Sequence, residues 1–401
     1  MPHRPPTRFN VLLATDHLGY PNSGIHGGGQ LLVAWTQELR RRGIGVTTAV
    51  MRGGQHFRGW VAERGLEFEF LDRPPHDPRT IGDLVRLCRR DDVDLVHLQG
   101  HGASTFGRIA AGHLDLPALV HIHADYRVTP RGYPLQARAA DRLLAPLTRR
   151  VMAVSESTRR FALEAQGYRP EQVEVLPNPV DRDKFARPTA AERREARAAL
   201  GIASEARVAV TVGRVDWLKG VDVQIGAWAD VVARVPNALL LVVGDGVMRP
   251  RLEAAVAARP WRDQVRFLGV RTDVERVLWA ADVFVLSSRN EGMPLVVLEA
   301  MSTGLPVVGT RAGGIPDVVS EGANGFLADV EDAETLAQHV VRVLCDPGLR
   351  ARLADGADRS AERYALADYV DRLVGVYRRV IVGAPAPAFA LRPQAARPSL
   401  S

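Results

Sequence analysis

Two glutamates lie close together in a segment that reads SSRNEGMPLVVLEAMSTG from residue 287 to residue 304. Glu291 follows a short apolar run that predicts a strand, and Glu299 lies eight positions later in a pattern that predicts a helix. Pro294 is expected at the first helical position, where a missing amide hydrogen costs no bond. Such a helix points its free amide hydrogens and its positive dipole end at a phosphate. Glu299 would then reach ribose hydroxyls and Glu291 a sugar beyond the phosphates, although two surface carboxylates without a role fit the same spacing.

Two cations, Arg214 and Lys219, lie in the segment GRVDWLKG, directly after another strand-like run. A departing diphosphate gathers negative charge, and an arginine with a lysine at the carboxyl end of a strand neutralises that charge without a metal ion. Lysine occurs only at Lys184 and Lys219 in a chain whose positive charge is otherwise arginine. We therefore interpret the pair as functional rather than as two solvated loop cations.

A long loop, residues 16–30, contains three consecutive glycines directly before a predicted helix. Gly28 and Gly29 have no side chain, so their backbone amides can approach a phosphate or a sugar closely. The spacing does not follow the G-x-G-x-x-G pattern of dinucleotide-binding folds, and the loop is longer than the tight turn of such sites. The glycines therefore predict a ligand contact of a different kind.

Two histidines, His121 and His123, end a strand-like run that begins at Ala118. Alternate residues of a strand share a face, which is compatible with zinc, but no third ligand follows at a recognisable spacing. We therefore predict no metal site. His123, at the carboxyl end of the strand, is the better candidate for orienting a sugar hydroxyl, and a buried structural histidine is the alternative.

Apolar runs of strand length alternate with longer helical patterns along most of the chain. Runs at 9–15 and 46–51 flank a helical pattern at 31–42, and the same rhythm restarts at residue 208 and continues to residue 310. This alternation indicates βαβ units and parallel sheets covered by helices on both faces. We expect an α/β protein with two doubly wound halves.

A proline-punctuated turn, VLPNPVD, separates the two halves and places the domain boundary near residue 185. The predicted domains are Rossmann-like units at 1–185 and 186–364. A helical pattern at 365–382 is expected to pack back on the first domain. The Ala/Pro-rich tail at 383–401 lacks apolar periodicity and is predicted to be disordered.

The composition favours a cytoplasmic protein. Only two cysteines occur, Cys88 and Cys345, which fits a reducing compartment without a disulfide framework. The longest apolar runs fall far short of the ~20 residues that span a bilayer. The net charge of +6 is compatible with nucleic acid, anionic lipid or phosphorylated ligands, of which we predict phosphorylated ligands and no nucleic acid.

An arginine-rich segment spans residues 127–160, where eight arginines stand against two acidic residues, Asp141 and Glu156. Such a segment is either a membrane-facing patch or the solvated face of a helix, and we favour the solvated face. The alternative predicts peripheral contact with the inner face of the membrane.

The motifs in this order resemble the large retaining GT-B glycosyltransferase family, which includes mannosyl-, glucosyl- and N-acetylglucosaminyltransferases. The resemblance covers residues 9–380 and rests on the glycine loop, His123, the Ser155-Glu-Ser triplet, the VLPNPVD turn, GR followed by KG, and the two glutamates with seven residues between them. The family's turn commonly reads PNGVD, and Pro179 replaces its glycine here. Proline stiffens that turn without touching a proposed ligand.

The resemblance implies a GT-B architecture, in which two Rossmann-like domains face each other across a cleft. The domain at 1–185 would bind the acceptor and the domain at 186–364 the nucleotide-sugar donor. The implied reaction is the metal-independent transfer of a hexosyl or N-acetylhexosaminyl group to an acceptor hydroxyl with retained configuration. A UDP-sugar is the favoured co-substrate, no cofactor is expected, and the acceptor is a small molecule, a glycan or a lipid-linked compound.

The resemblance also assigns residues. His123 and Glu291 would be catalytic. The implied donor-binding residues are Gly28, Gly29, Arg214, Lys219, Val270, Asp273, Gly292, Met293, Pro294, Leu295 and Glu299. Val270 and Asp273 would face the nucleobase, and no residue is assigned to a metal.

Other functions fit parts of the pattern. A nucleotide-sugar epimerase or a phosphorylase-like enzyme would share the GT-B fold. An NADP-dependent oxidoreductase is suggested by the glycine loop and by Arg52, which follows the second strand where a 2′-phosphate would be bound. A non-catalytic nucleotide-sugar binding protein would not require His123, Lys219 and Glu291 together.

Overall fold

The computed structural model describes residues 8–20, 24–25, 27–129 and 132–383. Part of the glycine-rich loop and, apart from Gly383, the tail predicted at 383–401 lie outside the described residues.

The first half of the chain folds around one parallel sheet. Its elements in order are β1 (Asn10–Thr15), β2 (Gly19–Tyr20), β3 (Gly24–Ile25), α1 (Gly27–Arg41), β4 (Gly45–Val50), α2 (Gly54–Ala62), β5 (Glu69–Phe70), α3 (Arg79–Arg90), β6 (Leu95–Gln99), α4 (His101–His113), β7 (Ala118–Ile122), α5 (Leu135–Leu144), β8 (Arg150–Ala153), α6 (Glu156–Phe161) and β9 (Val173–Val175).

The second half repeats this plan and ends in three consecutive helices. Its elements are α7 (Ala190–Ala199), β10 (Arg207–Val212), α8 (Val221–Arg234), β11 (Ala238–Val243), α9 (Arg249–Ala257), β12 (Val265–Gly269), α10 (Val274–Ala280), β13 (Val283–Leu286), α11 (Leu295–Ser302), β14 (Val307–Thr310), β15 (Gly325–Ala328), α12 (Ala333–Cys345), α13 (Pro347–Ala361) and α14 (Leu366–Ile381).

Both sheets are doubly wound. Within the described residues, the first sheet has the strand order β5-β4-β1-β6-β7-β8-β9 and the second the order β12-β11-β10-β13-β14-β15, with every neighbouring pair parallel. Strands β6, β7 and β11 are buried at every position, because helices cover both faces of each sheet. The predicted α/β fold with two parallel sheets is therefore confirmed. We call the two halves the first lobe and the second lobe.

The strand order reverses at one place in each sheet. β1 lies between β4 and β6, and β10 lies between β11 and β13. At such a point the connections leave on opposite faces, so that a crevice opens beyond the carboxyl ends of the strands. The loops after β1, β7, β10 and β13 surround these crevices and carry most of the predicted site residues.

The chain passes between the lobes twice, and the two crossings are bonded to each other. The amide of Val180 donates to the carbonyl of Tyr364 at 2.7 Å, and the amide of Leu366 donates to the carbonyl of Val180 at 3.1 Å. After the second crossing, α14 returns to the first lobe, where Tyr369 and Tyr377 are buried in the same cluster as Trp35. The limits 1–185 and 186–364 stay predictions.

None of the described helices combines the length and apolar composition needed to cross a bilayer.

Candidate active site

The carboxyl end of β7 lies directly against the loop between β13 and α11. Asn290 donates its side-chain amide to the carbonyl of Asp125 at 2.9 Å. A Cβ placed on Gly292 would overlap the carbonyl oxygen of His123, so that only glycine allows this approach. The structure thus brings the predicted residues His123, Glu291 and Gly292 together, although they come from different lobes.

Glu291 is a buried carboxylate held by two donors. The Lys219 ammonium lies 2.6 Å from Oε1 of Glu291, and the Ser288 hydroxyl donates to the same oxygen at 2.6 Å. Lys219 comes from the loop after β10 and Glu291 from the loop after β13, which are neighbouring strands. Sequence reasoning assigned these residues to different parts of the donor, whereas the structure makes them one ion pair.

Arg289 fixes the relative position of the two loops. Its guanidinium donates to the carbonyl of Trp217 at 2.6 Å and makes two bonds to Asp222 at 2.8 and 2.9 Å. It also pairs with Glu331, and its backbone amide donates to the carbonyl of Leu218 at 2.8 Å. Arg289 and Ser288 were not predicted from the sequence, although both lie close to Glu291 in the chain. An arginine carries little information in an arginine-rich chain, and the bonds of both residues depend on the tertiary structure.

Arg214 lies at the surface of the cleft, where its guanidinium is 3.1 Å from Asp216. Burial lowers the pKa of His17, in the loop after β1, and the nearby charges of Arg52 and Arg214 contribute to the lowering while Asp16 opposes it. The electrostatic effect on His17 places Arg214 within range of the first lobe.

The first turns of α1 and α11 meet in the cleft. A Cβ built on Gly27 would lie 2.9 Å from Cδ1 of Leu295. Gly28 is half-buried, and Gly29 is buried against the backbone carbonyl of Leu18, which a side chain at Gly29 would overlap. The amino-terminal ends of the two helices therefore lie side by side at one region of the cleft.

Met293 and Leu295 join the second lobe to the first half of the chain. Asn178 donates its side-chain amide to the carbonyl of Met293 at 3.0 Å, and Leu295 packs against the buried cluster of the first lobe. Pro294 was expected as the first helical residue, and this is wrong: its ψ of 115° is extended, and α11 begins at Leu295. The extended peptide lets Met293 reach Asn178 before the helix turns, which explains the shift.

Glu299 lies on α11 with part of its surface open to solvent. Burial raises the pKa of Glu299 to about 7, with Glu275 of α10 adding to the rise and Lys184 opposing it. The Oε2 atom of Glu275 is itself buried and has no hydrogen-bond partner among the described residues. Glu299 is therefore a carboxyl group whose charge changes near neutral pH.

Val270 and Asp273 follow β12, the edge strand of the second sheet. The side chain of Val270 is exposed, and Asp273 is bound by Arg271 with Nε 2.8 Å from Oδ1. This bond lowers the pKa of Asp273. The two residues lie on the β12 side of the crevice. Helix α10 starts directly after Asp273 and brings Glu275 close enough to Glu299 to influence its pKa.

His123 ends a stack of aromatic rings that crosses the first lobe. Its ring centroid is 4.1 Å from that of His121, which stacks on Trp35 at 5.4 Å. His97 joins His121 through ring nitrogens 3.3 Å apart and the Tyr377 hydroxyl at 2.7 Å. Burial lowers the pKa of His97 to about 3 and that of His121 well below its usual value, with His123 contributing in both cases. Both inner histidines are therefore neutral.

Most members of this stack were not visible as site residues in the sequence. Trp35, His97 and Tyr377 were not predicted, because their side chains meet only when α1, β6 and α14 are packed together. Among the described residues, no group of three or more His, Cys, Asp or Glu side chains is arranged to hold a metal ion.

Two family models match most of the chain. The model described as Glycosyltransferase Family 4 matches residues 25–184, and the model described as Glycosyl transferases group 1 matches residues 192–360. They therefore divide the chain between the first and the second lobe.

Individual relatives match over three quarters or more of the chain. A D-inositol 3-phosphate glycosyltransferase of Saccharomonospora viridis is 36% identical over 94% of this chain and 95% of its own. The Escherichia coli UDP-Gal:alpha-D-GlcNAc-diphosphoundecaprenol alpha-1,3-galactosyltransferase is 27% identical over 76% of this chain and 80% of its own. Anabaena HepE, solved in complex with UDP, superimposes with a TM-score of 0.80 over 91% of this chain and 99% of its own, at 22% identity. The chain therefore belongs to the group 1, family 4 glycosyltransferases of GT-B fold, which transfer a sugar from a nucleotide-sugar donor.

Proposed function

We propose that the protein transfers a hexosyl or N-acetylhexosaminyl group from a UDP-sugar to an acceptor hydroxyl, with retention of configuration and without a metal ion. The observation that carries the proposal is the Lys219–Glu291 ion pair, which lies next to His123 where the first turns of α1 and α11 meet. An epimerase, a phosphorylase-like enzyme and an NADP-dependent oxidoreductase are not favoured by the family to which the chain belongs.

The diphosphate is the part of the donor that these residues suit best. Arg214 and Lys219 supply two positive charges, and the first amides of α11 and α1 supply hydrogen-bond donors. Preorganised donors of this kind stabilise the charge that develops on a leaving group, which is the task that a divalent metal performs in other enzymes. We therefore assign the diphosphate to this region and expect no metal requirement.

The remaining donor contacts are assigned from the positions of the carboxylates, of Val270 and of His123. Glu299, inside α11, would accept hydrogen bonds from the ribose, and Glu291 would contact the transferred sugar. Val270 offers an exposed apolar side chain to the base, and Asp273 is held in place by Arg271. His123, at the carboxyl end of β7, would orient a hydroxyl of the reacting sugar.

The state of Glu291 argues against a covalent sugar–enzyme intermediate on this carboxylate. Lys219 and Ser288 both bond to Oε1 of Glu291, which makes this carboxylate a weak nucleophile. We therefore favour attack of the acceptor on the face that the diphosphate leaves. In this reaction the bond from the sugar C1 to the phosphate oxygen breaks, the bond to the acceptor oxygen forms, and the departing phosphate takes the acceptor proton.

The acceptor is proposed to carry a phosphate. One relative is named for D-inositol 3-phosphate and another for a diphosphoundecaprenol-linked sugar, both of which are phosphorylated. A cavity of about 270 Å³ lies beside the segment that follows β7, and Arg127, Tyr133 and Arg138 are among the residues that line it. Arg127 is paired there with Asp125 and with Glu164, which also lines the cavity, so Arg138 is the cation that would meet an anionic acceptor.

The test is a screen of UDP-, GDP- and ADP-sugars for slow hydrolysis, read by mass spectrometry with and without EDTA. We expect slow hydrolysis of a UDP-sugar alone, at a rate that EDTA does not change. When a phosphorylated polyol or lipid is added, we expect the sugar to be transferred to it instead, and NMR of the product should show the anomeric coupling constant of the donor. Activity only with GDP- or ADP-sugars, loss of activity in EDTA, or an inverted product would refute the respective part of the proposal.

Glu299 makes donor binding dependent on pH. Ribose hydroxyls would donate to its carboxylate, so the donor prefers the ionised form, whose population falls as the pH drops below about 7. We expect the affinity for a non-hydrolysed UDP-sugar analogue to be constant above this pH and to fall up to about tenfold per pH unit below it. Titration calorimetry from pH 5.5 to 8.5 measures this, and Glu299→Gln should bind more weakly with a flat profile. An equal slope in both proteins would remove Glu299 from the ribose site.

A further inference from the structure

The outer face of α5 carries two leucines that no other part of the described chain covers. Leu135 is 80% exposed and Leu143 is 78% exposed, with the exposed Ala139 midway between them. Residues four positions apart lie on one side of a helix, so the three form one apolar stripe. Val128 and Leu147, at 43% and 41% exposure, flank it. An apolar stripe of this kind is unusual on a protein surface unless it meets a partner.

The charge next to the stripe is positive. Arg142 is exposed on α5 beside Leu143, Arg138 lies on the same helix, and Arg149 is exposed just beyond its end. Within the part of the chain that the structure describes, none of the three forms an ion pair. Arg142 and Arg149 are exposed, so their charge is available to an external anion, whereas Arg138 is half-buried.

The acidic residue of α5 does not neutralise these arginines. Asp141 is buried and accepts bonds from Arg108 at 2.5 Å, Tyr133 at 2.5 Å and Gln166 at 3.0 Å. Other arginines of the segment at 127–160 are already used: Arg127 is paired with Asp125, and Arg159 with Glu156. Arg142 and Arg149 therefore remain as exposed cations close in sequence to the leucines.

We propose that α5 docks the enzyme on an anionic lipid bilayer, with Leu135 and Leu143 inserted among the lipid chains and Arg142 and Arg149 at the phosphates. A short helix with leucines on one face and arginines at its border binds such a surface through apolar burial and charge attraction together. A bilayer fits better than a second copy of this chain, because two copies meeting through α5 would bring these arginines together.

The position of α5 gives this docking a consequence for the reaction. The helix follows β7, whose carboxyl end carries His123, so the end that begins at Leu135 lies toward the cleft. Docking through α5 would hold the first lobe of the cleft near the headgroups, where a lipid-linked acceptor is found. The docking itself does not depend on the proposed reaction.

The experiment is co-sedimentation of the full chain with vesicles of phosphatidylcholine alone or mixed equally with phosphatidylglycerol, at low and high salt. We expect binding to the anionic vesicles, a decrease at high salt, and a drop in the partition coefficient of at least about tenfold in Leu135→Ser/Leu143→Ser. Arg142→Ser/Arg149→Ser should weaken binding and its salt dependence. The matched control, Val247→Ser/Val330→Ser, removes two exposed valines from the second lobe and should bind like the wild type.

Any of three results would overturn the proposal. One is wild-type partitioning in the leucine variant, and another is equal binding of the wild type to neutral and anionic vesicles. The third is a wild-type dimer in light scattering that becomes a monomer in the leucine variant, which would identify a second copy as the partner. Donor hydrolysis without vesicles should be unchanged in all variants, so failure of the docking proposal and failure of the proposed function are distinguishable.

Discussion

Lys219→Ala is expected to lower kcat/KM for transfer by about 10³-fold, the loss typical for removing one preorganised charge from a transition state. The Lys219 ammonium lies 2.6 Å from the Glu291 carboxylate and in the loop proposed to bind the diphosphate. Without it, the negative charge on the departing diphosphate loses a positive neighbour, and the buried Glu291 keeps only the Ser288 hydroxyl as a hydrogen-bond donor. Steady-state kinetics with a UDP-sugar and acceptor measure the loss. Arg251→Ala, which removes an exposed cation of the second lobe on α9, is the matched control and should behave as wild type.

A double-mutant cycle separates two roles of Lys219. If Lys219 acts only by holding Glu291, adding Lys219→Ala to Glu291→Gln should cost nothing further. If Lys219 also binds the diphosphate, the double variant should lose more than either single variant, and UDP binding should weaken in Lys219→Ala alone. We expect the second pattern. Wild-type kcat/KM in a folded Lys219→Ala protein would exclude the lysine from the mechanism.

Gly292→Ala is expected to lower kcat/KM by about 10²-fold while the protein stays folded. The new methyl group would overlap the carbonyl oxygen of His123, so the two lobes must separate at the point where His123 meets Glu291. A displacement of about 1 Å between reacting groups costs roughly this factor. The substitution removes no side chain from the core of either lobe, so we expect a small change in Tm.

The matched control is Gly226→Ala in α8, where a Cβ has nothing within 4 Å. Alanine is the better helix former, so this variant should be as active as the wild type and more stable by up to about 1 kcal/mol. Kinetics and thermal unfolding of the two variants are measured side by side. Full activity in Gly292→Ala would show that the approach of Gly292 to His123 is not needed for catalysis.

The sequence was sufficient to predict the fold. Buried parallel strands such as β11 and β13 are apolar at every position, and the helices between strands repeat at 3.6 residues, so that both patterns are visible within short windows. The start of α11 was misplaced by one residue, because proline is compatible both with the first helical position and with an extended residue before it. Local patterns identify an element more reliably than its ends.

The candidate site could be predicted as a set of residues but not as an arrangement. Motif order and spacing identified Lys219, Glu291 and His123, since each follows a strand whose carboxyl end faces the cleft. Their mutual contacts were not visible, and neither was the clamp formed by Arg289, which joins the Lys219 loop to Asp222 and Glu331.

By itself, then, the amino-acid sequence determined the α/β class, the repeated βαβ plan and the identity of the residues at the strand ends, because these follow from interactions within a few turns of chain. Only the tertiary structure decided which side chains touch. Lys219 meets Glu291 across 72 positions because β10 lies beside β13, and His97 meets Tyr377 across 280 positions because α14 returns to the first lobe. Strand order and helix docking depend on packing free energy summed over the whole chain, which no local pattern contains.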